Sequence, residues 1–195
     1  MVITGNRISA EEKRRLAGAL AGAKEKTSAR LSLTMVYVSD KYPLYSMVYG
    51  GITGIVVLGV LALLWPALTL REGFCAAVGA SVVVTAALDW LPLRLKFIPR
   101  HAKFWECWEL AHRSFASRIL ARNDRKTGVL LFVSLGERYV EVVTDRDVDR
   151  HIPQVEWDKL ITQFTAHARA GHVGEGVIGL VHASGDLLAQ HFPAA

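Results

Sequence analysis

Two long apolar runs constrain this chain more than any other feature of its 195 residues. Pro43 to Trp65 contains 23 residues and no charge, and Gly73 to Leu91 contains 19 residues with a single charge, Asp89. A bilayer core about 30 Å thick is crossed by roughly 20 apolar helical residues. The short link PALTLRE leaves room only for a tight turn. The sequence therefore predicts a transmembrane helical hairpin over residues 43–92.

The alternative for these runs is a buried core hairpin in a soluble protein. Core helices of soluble domains are usually shorter and carry a polar stripe, which these runs lack. Aromatic residues also stand at the ends of both runs, where rings of mixed polarity prefer the headgroup level of a bilayer. These residues are Tyr42, Tyr45, Tyr49, Trp65 and Trp90. The pattern favours membrane spans.

The net charge of +5 is distributed in a way that predicts orientation. The basic residues cluster just outside the apolar runs, at Lys41, Arg94, Lys96, Arg100 and Lys103. By the positive-inside rule this places both termini in the cytoplasm, with the chain as a two-pass protein of the inner membrane. The N-terminal stretch lacks the apolar run of a secretory signal, so the hairpin is expected to direct membrane insertion. Nucleic acid is not an expected partner, because the basic residues follow the membrane ends.

The polar sequence on either side of the hairpin predicts one interrupted domain. A single strand at Arg30–Asp40 leaves the backbone N–H and C=O groups of its edges unpaired. Its partner strands must therefore come from the sequence beyond the hairpin. We predict domain parts at 1–42 and 93–195, with the hairpin at 43–92 between them. The other predicted elements are a helix at 10–28, a helix at 99–123, strands at 128–135 and 138–145 joined by a two-residue turn, and two C-terminal helices.

The two later strands carry a resemblance to a known family. The segments GVLLFVSL and RYVEVVTD, within a stretch from Thr127 to Pro193, resemble the TPM domain family, and in particular its short bacterial membrane-bound branch. The resemblance implies an α/β fold: a small mixed β-sheet sandwiched by helices, here with the hairpin inserted after the first strand. Members of the family are described as acid phosphatases, calcium binders or assembly factors, so the fold does not select a function.

An acidic segment after the second of these strands is the candidate metal site. Asp145, Asp147, Asp149 and Glu156 fall at positions 1, 3, 5 and 12 of a twelve-residue loop, which is calcium-loop spacing. However, Arg150 stands where a calcium loop needs glycine. The favoured interpretation is a solvated loop without a cofactor, and binding of Ca²⁺ or a related divalent ion is the alternative.

Small residues within the hairpin predict close helix packing. Gly50 and Gly54 form one pair spaced by four, and Ala76 and Ala80 form another. Such pairs let helices approach closely in lipid, where hydrophobicity does not drive association. The simpler interpretation is that the two hairpin helices pack against each other. The alternative is that these small residues mediate homodimerisation.

No catalytic set is visible, and no residue is assigned a catalytic role. The sequence contains no phosphate-cradling glycine loop, no Cys-x5-Arg motif and no cluster of His with Asp. The leading hypothesis is a non-enzymatic interaction or assembly module at the cytoplasmic face, whose partners are the bilayer and a membrane protein or a second copy. The alternative is a membrane-bound phosphoester hydrolase that depends on a divalent metal, so enzymatic activity stays open.

Overall fold

The computed structural model describes residues 2–4, 10–39, 42–65, 67–89, 97–121 and 127–194. The chain divides into two compact units. The first contains Met1–Ser39 and Phe104–Ala195, and the second contains Asp40–Lys103. Four residues that the sequence places beside the membrane lie outside the described residues, namely Lys41, Trp90, Arg94 and Lys96.

The described elements follow one another in a simple order. They are β1 (Val2–Thr4), α1 (Ala10–Lys26), β2 (Arg30–Val36), α2 (Pro43–Leu64), α3 (Leu70–Leu88), α4 (Arg100–Phe115), a π-helical turn (Ala116–Leu120), β3 (Gly128–Ser134), β4 (Tyr139–Thr144), α5 (Arg146–His151), α6 (Gln154–Arg169) and α7 (Val173–His191).

The sheet of the first unit is mixed, as predicted. Its strand order is β1-β2-β3-β4, in which β1, β2 and β3 run parallel and β4 runs antiparallel to β3. Strand β2 pairs with β3 from Arg30 opposite Gly128 to Val36 opposite Ser134. These neighbours flank the whole apolar segment in sequence, so the sheet is completed only after the chain returns from it.

Helices cover both faces of this sheet. On one face α1, α6 and α7 pack over alternate residues of β2 and β3, with Leu33 and Leu131 fully buried in the common core. On the other face Cys107, Ala111 and Phe115 of α4 pack over Leu130 and Phe132. Burying a side chain of this size stabilises the fold by about 1.5–3 kcal/mol. Every residue of β3 is buried, which explains its nearly continuous apolar sequence.

The second unit contains the helices of the predicted hairpin. A 21-residue span, Leu44–Leu64, and a 20-residue span, Leu70–Asp89, are long and apolar enough to cross a membrane. A capping box starts α3: Thr69 N donates to Glu72 Oε2 at 2.9 Å, and Glu72 N donates back to Thr69 Oγ1 at 3.4 Å. Only 6% and 17% of the two apolar windows are buried. Most residues of both windows are therefore exposed on the second unit.

Three details of the fold correct the sequence prediction. The sheet has a fourth strand, β1, so the hairpin follows the second strand and not the first. Residues 146–151 form the short helix α5 where a loop was expected. The turn between β3 and β4 has four residues, Leu135 to Arg138, because Leu135 N and Gly136 N donate across to Val36 O and Tyr37 O. Arg138 closes this turn with φ 55°.

Candidate functional site

Polar side chains converge where the parallel strands β2 and β3 end. Ser39 lies three residues beyond the end of β2, Ser134 is the last residue of β3, and Glu137 lies in the turn that follows β3. In open α/β sheets the carboxyl ends of parallel strands are the usual place for a binding site. We refer to Ser39, Cys107, Ser134 and Glu137 as the strand-end cluster.

Glu137 is the centre of the strand-end cluster. Ser39 N donates to both of its carboxylate oxygens, at 2.9 and 3.1 Å, and Ser39 Oγ donates to Oε1 at 2.6 Å. Ser134 Oγ donates to Oε2. Hydrogen bonds to a carboxylate are about twice as strong as neutral ones. Glu137 thus ties the turn after β3 to the segment that leads from β2 towards α2.

Cys107 reaches the same cluster from α4. Its Sγ lies 3.4 Å from Ser39 Oγ. Since the single hydroxyl hydrogen of Ser39 is directed to Glu137, the thiol is the donor in this contact. Cys107 is fully buried, and this burial raises the pKa of its thiol to about 12. The thiol is therefore a packing group and not a nucleophile at neutral pH.

The strand-end cluster is built to hold a segment in place. A serine nucleophile needs a base that can take its proton and a path for substrate to the hydroxyl. Ser134 is only 1% exposed, and both oxygens of Glu137 already accept hydrogen bonds. The arrangement therefore fixes the exit of the chain from the sheet and leaves no open reacting centre at these four residues.

A second polar group lies on the α4 side of β4. Tyr139 Oη donates to Glu141 Oε2 at 2.8 Å, and both side chains are partly buried. Burial raises the pKa of Glu141, and it outweighs the Tyr139 hydrogen bond and the nearby His112, which both lower it. Burial also raises the pKa of Tyr139. Glu141 thus holds its proton to higher pH than an ordinary glutamate.

The structure gives the four carboxylates of the acidic segment separate local partners. Asp145 caps α5, because its Oδ1 accepts from Asp147 N at 3.1 Å and Val148 N at 2.9 Å, and its Oδ2 accepts from Gly128 N at 2.8 Å. Thr144 Oγ1 donates to Asp149.

The two remaining carboxylates form exposed ion pairs. Asp147 lies 3.7 Å from Arg150, and Glu156 lies 2.7 Å from Lys159. Within the described parts of the chain, no three His, Cys, Asp or Glu side chains are grouped to hold a metal. Calcium binding at this segment stays a prediction, and the structure adds no support for it.

Packing in the hairpin uses the predicted glycines but different residues of α3. A Cβ added at Gly50 would overlap the Thr85 hydroxyl, and one at Gly54 would lie 3.3 Å from Ala77 O. On α3 the contact runs through Ala77, Ser81 and Thr85. The pair Ala76 and Ala80 lies one residue away from this seam, and Ala76 is exposed. The four-residue spacing was present in both registers, and the sequence could not show which one faces α2.

The strand-end cluster was not found by sequence reasoning. Its members are separated by up to 98 residues, and none belongs to a motif. One signal was available: Ser134 and Glu137 flank the end of an apolar strand that is expected to be buried, so polar groups there need partners.

Comparison with known proteins agrees with this fold. A family model described as TPM domain matches residues 105–187. The predicted resemblance is therefore confirmed over this segment, and the chain carries a TPM domain. No protein of curated function matches the chain.

One solved structure is similar over nearly the whole chain. It is the solution structure of the BA42 protein from the psychrophilic bacterium Bizionia argentinensis, with a TM-score of 0.58 and 13% sequence identity. The alignment covers 99% of this chain and 89% of that one. At this level of identity the similarity shows the fold alone.

Proposed function

We propose that this protein is a membrane-anchored TPM-domain module that acts by interaction or assembly at the cytoplasmic face of the inner membrane. One observation carries the proposal: two spans of membrane-crossing length expose their apolar side chains, and they are inserted between two adjacent strands of the TPM-domain sheet. Ile55 is 74% exposed and Leu63 is 83% exposed. Surfaces of this kind are stable only against lipid or another protein.

The strand-end cluster supports an anchoring role. Glu137 binds the first residues that leave the sheet towards α2, so the sheet holds the chain at the point where the apolar segment begins. The chemistry of the cluster favours binding over turnover, because its hydroxyls and its carboxylate bond to one another.

Purification from native membranes in a gentle detergent tests the proposal. We expect a membrane protein to co-purify in fixed stoichiometry with the full-length chain, and to be lost in a variant with Ile55→Gln and Leu63→Gln. A substitution pair in an exposed polar region, Asp158→Asn with Gln163→Glu, is the matched control and should keep the partner. Recovery of the bare protein in both cases would contradict an assembly role.

The second candidate is a membrane-bound phosphoester hydrolase, which the TPM match keeps open. It predicts turnover of a generic aryl phosphate with a divalent metal, and loss of turnover on Asp145→Asn or Asp147→Asn. Absence of turnover with Mg²⁺, Mn²⁺, Ca²⁺ and Zn²⁺ would remove this candidate.

A further inference from the structure

Helix α4 carries a row of rings beside the face that packs on the sheet. His101 and Trp105 at the start of the row are exposed, and Trp108 and His112 are half-buried. His101, Trp105, Trp108 and His112 recur at spacings of four, three and four, which places them along one side of the helix. Trp105 stacks on Trp108 with ring centroids 5.2 Å apart, and Trp108 lies 4.2 Å from His112. We call these four residues the ring row.

The exposed start of the ring row, His101 and Trp105, is distinct from the side of α4 that packs on the sheet. That side consists of Cys107, Ala111 and Phe115, all buried. Trp105, by contrast, is 54% exposed, and Phe104 beside it is 53% exposed. Large aromatic side chains gain most from leaving water, and indole prefers a site with one apolar and one wet side.

The sequence just before and at the start of the ring row carries only positive charges. Between Asp89 and Glu106 the sequence contains no acidic residue but four basic ones, Arg94, Lys96, Arg100 and Lys103. Further along α4 stand two acidic residues, Glu106 and Glu109, and one arginine, Arg113, which forms an ion pair with Glu109. The basic excess is therefore confined to the chain between the end of α3 and the second turn of α4.

We propose that the exposed start of the ring row, with Trp105 at its centre, lies in the headgroup region of an anionic bilayer, where Arg100 contacts lipid phosphates. The inference rests on the proposed membrane insertion of α2 and α3. Helix α4 starts at Arg100, twelve residues after Leu88 ends α3, so only a short stretch of sequence separates Trp105 from the proposed span. Trp with neighbouring Lys and Arg is the composition that such surfaces favour.

A protein partner fits these observations less well. A protein groove that receives two tryptophans would carry its own acidic side chains to match the basic stretch. An anionic leaflet supplies both the apolar depth and the negative charge without any such groove. The lipid surface is therefore the occupant that we propose.

Fluorescence quenching in liposomes of the full-length protein tests the inference. The difference between wild type and Trp105→Phe isolates the emission of Trp105. With phosphatidylglycerol in the bilayer, we expect this emission to be quenched by lipids that carry a nitroxide near the headgroup, and to be protected from aqueous acrylamide. Trp157→Phe is the control. Trp157 is buried in the sheet core, so the lipid quencher should not reduce its emission.

Charge dependence is the second part of the same experiment. Replacing phosphatidylglycerol by phosphatidylcholine, or raising the salt concentration well above physiological levels, should roughly halve the lipid quenching of Trp105. Arg100→Gln should reduce it as well, whereas Arg113→Gln, on the ion-paired part of α4, should not.

Trp65, at the end of α2, separates failure of this inference from failure of membrane insertion. If Trp65 emission is quenched by lipid nitroxides and Trp105 emission is quenched only by acrylamide, the hairpin is inserted and the ring-row inference is wrong. Protection of Trp105 from both quenchers would indicate a protein contact and would also overturn it. If neither tryptophan responds to the lipid quencher, the membrane location itself fails.

Discussion

Glu137 shows how much a single side chain contributes where a chain leaves its sheet. Three donors from Ser39 and Ser134 converge on one carboxylate, among them Ser39 N at 2.9 Å and Ser39 Oγ at 2.6 Å. A neutral amide in its place would keep one acceptor oxygen and turn an NH₂ group towards a donor. Buried donors that lose their acceptor are costly, because they gave up water on folding.

We predict that Glu137→Gln lowers the free energy of unfolding by about 1–3 kcal/mol. Thermal unfolding in a mild detergent, followed by circular dichroism, measures the change. Glu156→Gln is the matched control, because Glu156 pairs only with exposed Lys159, and it should change stability by less than about 0.5 kcal/mol. Equal effects of the two variants would refute the anchoring role of Glu137.

Glu141 makes a prediction about pH. Its ordinary pKa of 4.5 applies in the unfolded chain, and burial raises the pKa in the folded protein. Between these two values the folded state binds more protons, so the free energy of unfolding falls as pH rises above 4.5. Glu141→Gln removes this pH-dependent decrease in the free energy of unfolding, and the glutamine oxygen can still accept the Tyr139 hydrogen bond.

The variant should therefore be more stable than wild type at neutral pH, and the gain should vanish below pH 4.5. Unfolding curves recorded across this range give the comparison. A gain that is the same at acidic and neutral pH would show that packing, and not the charge, is responsible.

At the scale of elements, the acidic segment acts as the start of a helix. Asp145 satisfies two amides at the N-terminus of α5 and one at the start of β3, so one carboxylate joins the two elements. Asp147, two residues on, makes only a loose exposed pair with Arg150. A calcium loop would instead require both carboxylates.

We expect Asp145→Ala to destabilise the protein by about 1–3 kcal/mol, from the lost cap and the unsatisfied Gly128 amide. Asp147→Ala should have an effect within about 0.5 kcal/mol. Denaturant titration with and without calcium distinguishes the two interpretations. Stabilisation by calcium that disappears in both variants would favour the metal site.

The seam between α2 and α3 gives a prediction with an internal control. A Cβ at Gly50 would meet the Thr85 hydroxyl and lie 2.9 Å from the Ser81 carbonyl oxygen, which is backbone and cannot rotate away. Gly51, its neighbour, has nothing within 4 Å of the same position. Both sites gain equally in helix propensity when glycine becomes alanine.

Gly50→Ala should therefore be less stable than Gly51→Ala by about 1–3 kcal/mol, the usual cost of overpacking. Thermal unfolding of the two purified variants in the same detergent measures this difference. If both variants unfold at the same temperature, Gly50 does not lie at the helix contact.

The elements that can be predicted from the sequence differ from the others in the number of residues over which their sequence pattern extends. The apolar spans and the strand at Gly128 are each continuous apolar runs, and the helix that ends near Gly171 carries a periodic pattern; the structure contains all of them. Strand β1 has only three residues, and α5 has only six, too few for a period to show. The strand-end cluster depends on which distant residues meet, which no local pattern encodes.

At the scale of the whole molecule, the central feature is a sheet that is interrupted and then resumed. Strands β2 and β3 pair over seven residues although the entire apolar segment lies between them. If that segment crosses the bilayer, it must cross an even number of times, because both strands belong to one sheet. Two spans meet this condition, and one would not.

The most direct test is the accessibility of single cysteines in intact cells. In a chain with Cys75→Ser and Cys107→Ala, a cysteine is placed at Leu68 between the spans, at Ser28 before them, or at Ala194 after them. We predict that a membrane-impermeant maleimide labels the cysteine at Leu68 in intact spheroplasts, and labels those at Ser28 and Ala194 only after the membrane is opened. Labelling of Ser28 and Ala194 positions from opposite sides, or release of the protein by an alkaline wash, would contradict the account.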